Sequence, residues 1–298
     1  MSFPSNDHPY TSVVVPSLSL DPGELAKIPG ASFLEERLLF LLIRLRNPWA
    51  RLVYVTSLPL HPLVLEYYLQ LLAGVTSSHA RSRLTLLCAY DSSPEPLTQK
   101  VLERPRLIER IPVNIPDRTR AYLTAFNSTP LERLLAVLLG IPLNGPDPDL
   151  VRLGTKSGSR RIFREAGVDL RCGREDVHTE GDVLDGEGAT SPSVQMRVNP
   201  TGRVFVASTH EQILGGPTAQ VYKGCRFPAG EPYRLRLQEV GLRVGEALAG
   251  HGVMGRFSVD FLARPRDDDW DVKALEINLR MGGTTRLQPP QPPASSST

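Results

Sequence analysis

Arg256-Phe-Ser-Val-Asp-Phe-Leu-Ala263 and Lys273-Ala-Leu-Glu-Ile-Asn-Leu-Arg280 decide the reading of this chain, and Met281-Gly-Gly-Thr-Thr285 follows the second directly. In the first stretch Phe257, Val259 and Phe261 alternate with Ser258, Asp260 and Leu262, the period of two expected of a strand. In the second, Glu276 and Asn278 share one strand face, while Leu275, Ile277 and Leu279 take the other. The polar link Arg264 to Asp271 reads as a hairpin turn. Pairing the strands about it brings Asp260 beside Glu276, so that two carboxylates and an amide converge on one sheet face.

Hard oxygen ligands of this kind suit a magnesium ion that holds a nucleotide phosphate. The competing reading is a surface hairpin with polar residues on its wet face. Two details favour a site. Glutamate and asparagine are poor strand formers, yet they stand in the middle of an apolar strand. Arg280 and the Gly-Gly-Thr-Thr turn follow at once, a cation and a backbone open to close approach by an anion.

Working outward, 298 residues suffice for two domains with separate cores. The hydrophobic share of 41% and charged share of 22% are those of a globular protein. A net charge of +2 gives no case for nucleic acid or membrane binding. Cys88, Cys172 and Cys225 are far apart and form no metal-ligand spacing, and their odd number argues against a disulfide framework. No signal-like segment opens the chain, and the apolar run Leu38 to Ile43 is too short to span a bilayer. A cytoplasmic location is the default expectation. Nothing in the sequence sets the oligomeric state.

Before residue 150 the pattern alternates. Strands are expected at Val13–Val15, Leu52–Thr56, Leu84–Tyr90 and Ala121–Phe126. Helices are expected at Ser32–Arg46, with Ser32 as cap and Glu35 three residues on, at Pro62–Gly74, and at Pro130–Leu139 opened by Thr129. This predicts an α/β layer with a mostly parallel sheet over residues 1–149. Asn144-Gly-Pro-Asp-Pro-Asp149 reads as a linker.

A second unit, α+β in character, is expected over 150–287. It opens with a basic helix, Ser157–Ala166, stopped by Gly167. The acid- and glycine-rich 169–190 reads as loop. Val194–Val198 and Val204–Ser208 form a hairpin about Asn199-Pro-Thr-Gly202, and Pro232–Ala249 a helix. Residues 288–298 are proline- and serine-rich and read as a disordered tail. Gly154-Thr-Lys-Ser-Gly-Ser159 lacks the spacing of a Walker phosphate loop. Its helix start still offers Lys156 and backbone amides to a phosphate, against a plain solvated basic face. His210 offers a general base or ligand, although a lone histidine is more often structural. Cys225 has no base nearby in sequence and reads as a buried thiol.

Taken together these residues resemble the ATP-grasp ligases, in particular the carboxylate–amine ligase group related to the pheganomycin peptide ligase. The matching text is Leu153 to Val168, Ser191-Pro-Ser-Val-Gln-Met-Arg197, Ser208-Thr-His-Glu-Gln-Ile-Leu-Gly-Gly216, Gly224-Cys-Arg-Phe-Pro228 and Arg256 to Thr285. The first half, with Tyr54-Val-Thr-Ser-Leu-Pro59 and Leu102-Glu-Arg-Pro105, is similar to that group's Rossmann-like pre-ATP-grasp domain.

The resemblance implies ATP-dependent amide-bond formation through an acyl phosphate, with small-molecule or peptide carboxylates and amines as substrates and ATP and Mg2+ as cofactors. It implies Asp260, Glu276 and Asn278 as metal ligands. Arg280 and Arg256 are the implied catalytic contacts to the phosphate. Lys156, Gly282 and Gly283 are the candidate nucleotide contacts.

The chain also departs from the family. Only 169–190 stands where the family carries much of one nucleotide-binding lobe, so the ATP-grasp domain is expected to be truncated. No lysine lies between Lys156 and Lys223, and Arg286-Leu287 replaces the expected His-Pro. The alternative expectation is a non-catalytic remnant that binds metal, nucleotide or a partner.

Overall fold

The computed structural model describes residues 8–20, 23, 25, 30, 33–168, 188–215, 221–266 and 269–280. Most of the loop expected at 169–190 lies outside these residues, as do Ser32, Gly216, Gly282, Gly283 and the tail 288–298. Two compact units form, Met1–Pro148 and Asp149–Thr298. Among the described residues no helix is long and apolar enough to cross a membrane.

In the first unit β1 (Tyr10–Val14), β2 (Ala50–Thr56), β3 (Leu84–Cys88) and β4 (Ala121–Thr124) make a parallel sheet in the order β3-β2-β1-β4. Alternation along β2 divides its side chains between two cores. Val53 and Val55 pack on one face with Leu97, Val101, Leu107, Ile111 and Leu135. Leu52 and Tyr54 pack on the other with Leu39, Leu42, Leu45, Leu65 and Leu69. A sheet covered on both faces needs apolar residues at successive positions, which is why its strands read as continuous apolar runs.

The helix expected over Ser32–Arg46 is wound differently. A short α1 (Leu34–Arg37) runs into a 3₁₀ helix, Leu39–Arg46. With three residues per turn, Leu39, Leu42 and Leu45 form one buried row. Glu35 is not half of a capping box either. Its buried carboxylate accepts from the Ser57 amide at 2.5 Å and the Ser57 hydroxyl at 2.6 Å.

Helix α2 (Pro62–Gln70) matches its expectation but stops short of Gly74. Three further short helices, α3 (Ser77–Arg81), α4 (Leu97–Leu102) and α5 (Pro105–Val113), have no counterpart among the sequence expectations. Helix α6 (Pro130–Leu139) has the expected Thr129 cap and Pro130 at its first position, with Glu132 closing a capping box.

In the second unit β5 (Pro192–Val198), β6 (Val204–Gly215), β7 (Val221–Arg226), β8 (Gly255–Arg266) and β9 (Asp269–Asn278) form an antiparallel sheet in the order β7-β6-β5-β8-β9. Helix α8 (Glu231–Gly250) lies across one face. Its Tyr233, Leu237, Val244 and Leu248 pack on Val194, Met196, Phe257, Val259 and Phe261. Gly241 and Gly245 let it approach closely, for a Cβ on Gly245 would stand 2.4 Å from a methyl of Val204. Helix α7 (Lys156–Glu165), capped by Thr155, lies against β9.

The β8–β9 hairpin is longer than the sequence suggested. Arg264 pairs with Asp271 and Arg266 with Asp269, so the expected turn residues continue the strands. A bulge also falls where alternation predicted none. Asp260 stands opposite Glu276 and Phe261 opposite Ala274, which leaves Leu275 as the extra residue. Val272 and Ala274 therefore join Ile277 and Leu279 in the core, and Leu275 does not. The bulge reverses the parity of β9 without turning Glu276 and Asn278 away from the polar face.

Candidate functional site

The face of the antiparallel sheet opposite α8 is built of polar rows. Cross-strand pairing aligns His210 on β6, Ser193 on β5, Asp260 on β8 and Glu276 on β9. Two residues along, Ser208, Gln195, Ser258 and Asn278 form a second row. A third holds Phe205, Arg197 and Arg256. Strand neighbours stand about 4.8 Å apart and successive rows about 6.7 Å apart. An acid-bearing row and an arginine row are thus separated by a neutral one.

Asn278 links the two acids. Its Nδ2 donates to Asp260 Oδ2 at 3.0 Å and to Glu276 Oε1 at 3.2 Å. The amide hydrogens thereby take the place between two carboxylates that a cation would otherwise fill. Burial is the chief reason that the Asp260 carboxyl is pushed up to about 6, and the Glu276 charge adds to it. Hydrogen bonds from Ser193 and Gln212 and the charge of Arg280 act the other way. A carboxylate so placed gains most from a cation that offsets both burial and repulsion.

The donor set fits Mg2+: two carboxylates and an amide oxygen are hard ligands. Among the described residues no group of three or more His, Cys, Asp and Glu gathers to hold a metal. A cation here would complete its shell with water and phosphate oxygens, as magnesium commonly does.

The other sequence candidates are spread more widely. Arg256 and Arg280 are exposed, and Arg256 faces Arg197 across β5 and β8. Lys156 is exposed at the first position of α7. His210 is buried, packs its ring 5.2 Å from that of Phe227, and leaves Nδ1 without a hydrogen-bond partner. Burial holds its pKa down to about 4. Cys225 is a half-buried free thiol opposite Gln212, rather than a core residue.

Sequence reasoning missed Ser193, Gln195, Gln212 and Ser258. Their signal was period-two alternation with the core residues Val194, Met196 and Val259, which becomes informative only once strand partners are known.

The carboxyl ends of the parallel sheet in the first unit hold a second polar region, closed by its own side chains. The strand order reverses between β1 and β4, where α/β sheets commonly bind ligands. There Asn127 takes the Ser19 amide at 2.9 Å and donates back to the Ser19 carbonyl at 3.0 Å, while the Ser19 hydroxyl reaches buried Glu132. Beside it Lys100 Nζ donates to Ser57 Oγ at 3.1 Å.

Comparison with known proteins agrees with this architecture. Residues 183–285 match the family described as IQCH-like, ATP-grasp. The chain is 26% identical over 363 residues to an L-propargylglycine–L-glutamate ligase of Streptantibioticus cattleyicolor, covering 96% of this chain and 74% of that protein. The aligned span exceeds the 298 residues present here, so the ligase carries residues within it that have no counterpart in this chain.

The chain is also 31% identical over 192 residues to IQ motif-containing protein H of Danio rerio, covering 59% of this chain and 18% of that one. Among solved structures, a biotin carboxylase–β,γ-ATP complex from Campylobacter jejuni shares the fold with a TM-score of 0.54 at 13% identity, covering 92% of this chain and 66% of that one. The pyruvate carboxylase of Rhizobium etli does so with a TM-score of 0.56 at 16% identity, and the chain spans 22% of its length.

Proposed function

We propose that the protein is an ATP- and Mg2+-dependent ligase that joins a carboxylate to an amine, a reading supported by the match of residues 183–285 to the IQCH-like ATP-grasp family and by the likeness to the ligase. The observation that carries this reading is Asp260, Glu276 and Asn278 held within hydrogen-bonding distance on one sheet face, with Arg197 and Arg256 two rows from the acids. Asp260, Glu276 and the Asn278 oxygen would hold the magnesium ion once the amide turned its oxygen inward. The ion neutralises phosphate charge when bound.

In this reading a carboxylate oxygen of the first substrate attacks the γ-phosphorus of ATP and ADP departs. The neutral amine nitrogen of the second substrate then attacks the acyl carbon, phosphate departs with the bonding electrons, and the proton lost from nitrogen passes to solvent. Arg256 and Arg280 bind the anionic groups, as guanidinium groups suit phosphate and carboxylate oxygens. Lys156, at the start of α7, is the nucleotide contact on that side, with Gly282 and Gly283 as backbone contacts. The first unit serves as the pre-ATP-grasp domain.

A second reading, a remnant that binds nucleotide without turnover, is favoured by the absence of lysine between Lys156 and Lys223 and by the shortened span relative to the ligase. Calorimetry of ATP binding with Mg2+ and with EDTA tests the common premise. Release of ADP with amino acids as carboxylate and amine then separates the readings. Metal-dependent binding with turnover supports the ligase, and metal-dependent binding without turnover supports the remnant. Binding indifferent to EDTA sinks both.

A further inference from the structure

We propose that Ser159 is a positioning residue for the metal ligands, a role that rests on the magnesium site proposed above. Strand β9 is an edge strand, and Ile277 lies between Glu276 and Asn278. The Ile277 N–H donates to Ser159 Oγ of α7 at 3.0 Å, in a buried contact across 118 residues of sequence. Ser159 is fully buried and Ile277 nearly so, which makes the serine hydroxyl the partner that water supplies at an open sheet edge.

The carbonyl side of the same residue is confined too. A Cβ on Gly154 would stand 3.1 Å from the Ile277 oxygen and 3.2 Å from Leu279 Cγ, so the backbone at Gly154 abuts β9 where no larger residue fits without displacement. Gly158 is tighter still, for its Cβ would meet the Arg152 oxygen at 2.1 Å. The Thr155 hydroxyl takes the Gly158 amide at 3.1 Å and starts the helix. Far from α7's start, the Glu165 carboxylate meets His251 at 2.9 Å, anchoring the helix beyond the end of α8.

Gly154-Thr-Lys-Ser-Gly-Ser159 is therefore a docking motif. It clamps the one residue between two proposed ligands, with Lys156 exposed one turn before Ser159. Groups that orient ligands from behind commonly change metal affinity by ~10- to 100-fold when removed.

The test uses the full chain. Mg2+ is titrated against ATP binding by calorimetry, and exchange of the Ile277 amide is followed by NMR, in the wild type, Ser159→Ala, Ser159→Thr and Val244→Ala. The last thins the core beneath α8, on the sheet face away from the site. Ser159→Ala is expected to raise the Mg2+ concentration required by roughly tenfold or more and to speed Ile277 exchange. Ser159→Thr, which keeps a hydroxyl, is expected to recover part of both. Val244→Ala is expected to lower Tm yet leave the Mg2+ titration unchanged.

A Ser159→Ala titration that overlays the wild type overturns the role of Ser159 alone, as does an equal loss in Val244→Ala. A wild type without Mg2+-dependent ATP binding overturns the magnesium site itself, and the positioning role with it.

Discussion

Replacing Asp260 with asparagine should stabilise the metal-free protein while abolishing its metal dependence. In the folded chain the Asp260 carboxyl is raised from 3.8 to about 6, chiefly by burial and next by Glu276. Two units at ~1.4 kcal/mol each set a ceiling of ~3 kcal/mol on the cost of keeping this group ionised. Asparagine removes that cost but is a weaker acceptor for Ser193 and Gln212, and its own NH2 competes with that of Asn278. A net gain of about 1–2 kcal/mol remains at neutral pH.

The sign in pH follows. The penalty is absent below 3.8, where both states are protonated, grows between pH 4 and 6, and is complete above 6. The asparagine advantage should therefore be full at pH 7.5 and nearly gone at pH 4. Urea unfolding in EDTA at both values reads it, through Trp270 fluorescence in a Trp49→Phe background, since Trp270 packs 4.7 Å from Tyr233 in the second unit. A variant less stable than wild type at pH 7.5, or a difference unchanged at pH 4, would refute the reasoning.

Four other expectations follow from the structure. Gly245→Ala should lose about 1–2 kcal/mol, because overpacking at 2.4 Å outweighs the ~1 kcal/mol gain in helix propensity. Gly250→Ala, in open space at the end of α8, should gain up to ~1 kcal/mol, and equal gains at both glycines by urea unfolding would contradict the close helix–sheet approach. Lys100→Met should destabilise the first unit by about 2–3 kcal/mol, since it strips buried Glu35 and Ser57 of a neighbouring cation, with partial recovery in the double variant with Glu35→Gln. An NMR titration of His210 should find its midpoint near 4, so that the native ring stays neutral while the unfolded one protonates at 6.5 and stability falls as pH drops between them. A midpoint near 6.5 would mean that the ring is open to water. His210 is common to wild type and Asp260→Asn and cancels in their difference.

Much was legible before any coordinates. Short apolar runs separated by helical stretches marked the parallel sheet, and Thr129-Pro130 marked the start of α6. The alternation Phe257, Val259, Phe261 identified β8 and, with Glu276 and Asn278, the register of the hairpin. What alternation did not reveal was the bulge at Leu275. Strand period is a local property, whereas a bulge is a relation between two strands and leaves no period of its own. The 3₁₀ winding of Leu39–Arg46 was hidden similarly, because a run apolar on every side fits several helical periods.

The sequence by itself determined which residue types stand at which spacing: two acids and an amide on adjoining strands, a basic helix start, and the apolar runs of the strands. Tertiary structure alone decided the partners. It set His210, Ser193, Asp260 and Glu276 in one row, brought the Ser159 hydroxyl of α7 to the Ile277 amide of β9, and raised the Asp260 carboxyl through burial and the nearby Glu276 charge. The physical reason is range. Propensity and periodicity act over a few residues, whereas pairing, burial and charge coupling act between segments that only folding brings together.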